Sequence, residues 1–65
     1  MIRVNGEDRT LAEETLLSEF LEKEGYQKSR IAVELNEKII PKSQYEETLL
    51  HDGDVLEVVS FVGGG

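Results

Sequence analysis

The chain has 65 residues, no cysteine, and 14 acidic against 7 basic side chains, for a formal charge of −7. That length supports one small domain, and the missing cysteines exclude disulfides, thiolate metal ligands and a thiol nucleophile of its own. A polyanion is repelled by phosphate backbones and anionic lipid, so nucleic acid and membrane surfaces are not expected partners; the charge suits basic proteins, or serves solubility.

Residues 1–5 alternate, with Ile2 and Val4 on one face and Arg3 and Asn5 on the other, which predicts a first strand. Asn5-Gly6 is a strong hairpin signal because both residues tolerate positive φ. A second short strand is predicted over 7–11. Thr15 is the expected N-cap of a helix, with acidic residues nearby that suit a helix N-terminus. Leu16, Leu17, Phe20 and Leu21 share one helical face, while Glu19, Glu22 and Lys23 face water. Gly25 is placed to end that helix in the left-handed conformation.

Alternation resumes over 30–36, with Ile31, Val33 and Leu35 inward and Ala32 and Glu34 outward. Asn36-Glu37 turns the chain into a strand at Lys38-Ile39-Ile40, which Pro41 closes because it cannot donate to a ladder. Residues 43–48 are polar around a single Tyr45 and read as a connecting turn. His51-Asp52-Gly53-Asp54 is a tight turn, followed by a last strand over 55–62. The charge of Glu57 sets the parity of that strand: Leu56 and Val58 point to the core, Val59 and Phe61 outward. Val59, Phe61 and the adjacent Val62 are therefore the candidate docking residues, since contiguous exposed apolar surface marks interfaces.

The element order is strand, strand, helix, strand, strand, strand. One amphipathic helix then covers one face of a mixed five-stranded sheet and leaves the other face wet. The expected fold is α+β, of the ubiquitin-like β-grasp type. The domain is expected over 1–62, with a side-chain-free tail over 63–65. Nothing approaches a transmembrane span, and residues 1–4 read as strand in place of a leader, so a cytoplasmic location is the expectation.

Gly63, Gly64 and Gly65 directly follow the apolar run, offering an α-carboxylate on a thin stalk held by a strand. Glycines at 64 and 65 put no Cβ near the carboxyl carbon, and three extended residues reach roughly 10 Å into a partner channel. Gly63 adds only reach. Neither a helix nor Lys-Ser/Thr follows the glycines, so they are not a phosphate cradle. His51, Asp52 and Asp54 read as turn chemistry and no metal site is expected.

The β-grasp order, the Asp52-Gly53-Asp54 turn, the segment over 33–42 and the ending over 57–65 together resemble the ThiS family of thiamine-biosynthesis sulfur carriers. The resemblance spans the whole chain. Glu37 stands where that family commonly has glycine, which alters a turn and no functional position. The resemblance implies a carrier without catalysis or bound cofactor of its own. An adenylating enzyme related to ubiquitin-activating enzymes would spend ATP-Mg on the Gly65 carboxylate, and a persulfide donor would convert it to a thiocarboxylate. Thiazole synthase would then receive the sulfur. The β-grasp sulfur carrier that forms the small subunit of molybdopterin synthase shares the Gly-Gly ending but typically has proline near the tail, where this chain has Ser60-Phe61-Val62. A ubiquitin-like protein modifier is the third reading.

Overall fold

The computed structural model describes residues 1–61. Strands β1 (Ile2–Val4) and β2 (Glu7–Arg9) form the first hairpin, followed by helix α1 (Leu17–Lys23), the hairpin of β3 (Ile31–Leu35) and β4 (Lys38–Ile40), and finally β5 (Val55–Ser60). They build one five-stranded sheet in the order β2-β1-β5-β3-β4. β1 and β5 are parallel neighbours at its centre, and the other pairings are antiparallel. The expected mixed sheet with one main helix is thus observed. Among the described residues no helix is long and apolar enough to cross a membrane.

The reason for this arrangement is a set of apolar stripes that must share one interior. Ile2 and Val4 of β1, Ile31 and Val33 of β3, and Leu56 and Val58 of β5 are buried on the same face of the sheet. Leu17, Phe20 and Leu21 of α1 close over them. Burying such side chains stabilises by about 1.5–3 kcal/mol each relative to exposure. The opposite face stays open, carrying Arg3, Ala32, Glu34, Ile39, Val55, Glu57 and Val59.

Both hairpins turn through left-handed backbone. Asn5 and Gly6 have φ of 50° and 82°, and Asn36 and Glu37 have 51° and 70°, the conformations a two-residue turn needs to match the strand twist. Gly25 (φ 87°) ends the helix as expected. There Gly25 N–H donates to Glu22 O and Tyr26 N–H to Leu21 O, both bonds of a Schellman cap.

Two expectations need correction. The second strand stops at Arg9, not Leu11, whose side chain instead packs partly buried against the core. Thr15 does not cap α1, because its hydroxyl donates back to Ala12 O at 2.8 Å. The helix begins one turn-position later, and its first donors are satisfied from elsewhere: Leu17 N–H bonds Thr48 O, Ser18 N–H bonds Tyr45 O, and Leu16 N–H bonds the Glu19 carboxylate. A helix start needs its orphan donors bonded, whether locally or by a distant loop. The connecting turn around Tyr45 is observed, and its aromatic ring serves the interior. Tyr45 leaves a short 3-10 turn at Lys42–Gln44 and is 2% exposed in the core, where desolvation pushes its phenol above the ordinary value of 10.0.

Candidate functional site: the exit of the central strand

β5 is held from both flanks, and two asparagines do much of the holding. On the β3 side five residue pairs run from Leu35↔Leu56 to Ile31↔Ser60, and Phe61 N–H continues beyond them to Arg30 O at 2.7 Å. On the β1 side the pairs are Arg3↔Val55 and Val4↔Leu56. β1 then ends, and the Asn5 carboxamide takes over as a backbone surrogate. Its Oδ1 accepts Val58 N–H at 2.8 Å and its Nδ2 donates to Val58 O at 3.2 Å. At the strand's start Asn36 acts similarly: its Oδ1 accepts Val55 N–H at 2.9 Å, its N–H donates to Val55 O, and its Nδ2 donates to the Asp54 carboxylate.

The same strand defines a divided outer face. Val59, opposite Ala32, is 59% exposed and Phe61 is 54% exposed, so the parity inferred from Glu57 is the observed one. One register step nearer the strand's start, Glu57 lies directly opposite Glu34, which in turn lies opposite Ile39 at 76% exposure. Among the described residues neither carboxylate makes an ion pair. With Asn36, Glu37 and Val55 they line a shallow concavity of about 370 Å³. Like charges directly across a ladder are unfavourable; this half of the face is acidic, and the half nearer the exit is apolar.

Of the residues singled out from sequence, Val59 and Phe61 are brought together beside the exit. Val62, Gly63, Gly64 and Gly65, with the boundary between domain and tail, lie outside the described residues. His51, Asp52 and Asp54 sit at the other end of β5. There the Asp54 carboxylate accepts His51 N–H at 2.7 Å and the Met1 ammonium pairs with Asp52, while Asp54 N–H closes the turn onto His51 O. That is turn capping, in line with the reading from sequence. Sequence reasoning missed the roles of Asn5 and Asn36 beyond their turns. The signal was an asparagine where left-handed backbone was needed, since its short amide can bond nearby backbone there.

The comparisons with known proteins agree with this geometry. The model of the ThiS family matches residues 2–65. The chain is 42% identical over 65 residues to the sulfur carrier protein ThiS of Thermus thermophilus, covering all of both chains. It is 40% identical over 62 residues to a thiazole synthase of Paramagnetospirillum magneticum, covering 95% of this chain but spanning only 19% of that protein's length. The crystal structure of the thiamine biosynthesis protein ThiS from Geobacter metallireducens superposes with a TM-score of 0.82 at 33% identity, covering 98% of this chain and 97% of that one.

Proposed function

Because the chain belongs to the ThiS family, we propose that it carries sulfur for thiamine biosynthesis on the carboxyl group of Gly65. The observation that carries this reading is the family match running through Gly63, Gly64 and Gly65 to residue 65. A carboxylate is a poor electrophile, because its charge repels nucleophiles and oxide is no leaving group. In the proposed sequence a partner adenylating enzyme joins the Gly65 carboxylate to the α-phosphorus of ATP and releases pyrophosphate. The outer sulfur of a persulfide then attacks the carbonyl carbon, AMP leaves, and a thiol cleaves the resulting acyl disulfide to free the thiocarboxylate. ATP and Mg belong to the partner.

The chain's own contribution is positional. β5, bonded along both flanks up to Val58, gives the end of the chain a rigid base, while glycine at 64 and 65 puts no Cβ beside the reacting carbon. Val59 and Phe61 offer apolar surface for docking beside it, and the acidic surplus speeds encounter with basic partners. That nearly the whole chain resembles part of a protein named thiazole synthase favours thiazole synthase as the acceptor over the molybdopterin branch. We place this exchange in the cytoplasm, with no catalytic group supplied by the carrier.

The test is an incubation with the adenylating enzyme, ATP and a persulfide donor, read by intact mass. Replacement of one oxygen by sulfur at the C-terminus is expected, and deletion of Gly65 is expected to abolish it. An unchanged mass for the intact chain, or full sulfur loading without Gly65, overturns the proposal.

A further inference from the structure

The two edges of β5 are unequally used. Asn36 N–H bonds Val55 O and Phe61 N–H bonds Arg30 O, which fixes the alternation: residues 55, 57, 59 and 61 turn their backbone groups to β3. Residues 56, 58 and 60 turn theirs to the β1 side. There Leu56 O accepts Asn5 N–H at 2.9 Å, and Val58 is served in both directions by the Asn5 carboxamide. The chain then leaves through the Asn5-Gly6 turn toward β2. Ser60 comes next in the alternation. It is exposed, and among the described residues no backbone group bonds its N–H or C=O on that side.

An open N–H and C=O on the rim of a sheet is complementary to one thing in particular, another extended backbone. We propose that this edge seats a strand of the enzyme that adenylates the tail, laid beside Ser60 where β1 leaves off. The inference rests on the sulfur-carrier reading and adds to it how the tail is gripped. Three features support that occupant. The vacancy begins where the Asn5 amide ends the internal ladder. Val59 and Phe61, flanking Ser60, present their side chains to the outer face, as alternate side chains do in strand addition. And the sequence after Val62 is glycine alone, which lets a second backbone approach closely.

Amide hydrogen exchange with the labelled full chain, alone and with the adenylating enzyme, tests this. Alone, Val58 and Val59 are expected to exchange slowly and Ser60 fast; in the complex Ser60 is expected to slow at least about tenfold. The companion variant is Ser60→Pro, which removes a donor that no internal bond uses and which a sheet edge tolerates. Its melting temperature is expected to stay near that of the parent, with KM for adenylation raised about tenfold and kcat unchanged. Ser60 exchanging as fast in the complex as alone, or an unchanged KM for Ser60→Pro, overturns the proposal. So does protection of Ser60 in the free chain that grows with concentration, which would assign the edge to a second copy. Protection of Ser60 in a complex whose tail never gains sulfur leaves the edge site standing and overturns the sulfur-carrier reading instead.

Discussion

Asn5, Asn36 and Glu37 share left-handed backbone, yet only the two asparagines gain from it. Their amides reach β5 at Val58 and Val55, converting a strained φ into tertiary hydrogen bonds. Glu37 at φ 70° is exposed and lies at the rim of the acidic concavity, where a third carboxylate adds repulsion to strain. Glu37→Gly is expected to stabilise the fold by about 0.5–1 kcal/mol, the relief of about 1–2 kcal/mol from left-handed backbone less the greater chain entropy of glycine. Chemical denaturation reads this directly. A lowered midpoint would mean that the Glu37 side chain makes a stabilising interaction that outweighs its backbone.

At the scale of elements, β5 is both the middle of the core and the base of the tail. Its two faces divide those duties: Leu56 and Val58 pack inward, and Val59 and Phe61 look out. Phe61→Ser is therefore expected to weaken capture by the adenylating enzyme by about tenfold or more, as loss of an aromatic anchor does, while moving the melting temperature little. Calorimetric titration beside thermal melting ranks the two effects, and the reverse ranking would make Phe61 a packing residue. This parity was readable because alternation broken by one charge has period two and a single solution. β3 was readable for the same reason, and β4 from the Asn36-Glu37 turn before it and Pro41 after it. The start of α1 was not: its donors are bonded by carbonyls of Tyr45 and Thr48, far along the chain, and local capping rules see only Thr15. Tyr45 itself sits in a polar run without periodicity, so nothing nearby announced its burial. The grip of Asn5 on Val58 spans 53 positions, a distance over which a turn motif carries no information. The glycines of the tail lie outside the described residues, and the chemistry proposed for them came from the family resemblance, not from their position alone.

For the molecule as a whole, the surplus of seven negative charges acts twice. It repels itself across the folded surface and draws the chain toward basic partners. Salt screens both, with a Debye length falling from about 30 Å at 0.01 M to about 8 Å at 0.15 M. Raising ionic strength across that range is expected to raise the melting temperature and to lower the association rate with the adenylating enzyme. Scanning calorimetry and stopped-flow mixing follow the two; a rate indifferent to salt would show that encounter owes nothing to charge.

The parallel pairing of β1 with β5 has a mechanical corollary. The two strands begin at the same end of the sheet and point the same way, so drawing the tail outward against a fixed Met1 slides β5 along its neighbour. The load then falls on the Leu56 and Val58 hydrogen bonds together, and on the β3 ladder with them, where a hairpin would open one rung at a time. A pull applied between Met1 and the end of β5 is thus resisted in shear by both of its neighbours at once, and the strand cannot be peeled from β1 bond by bond.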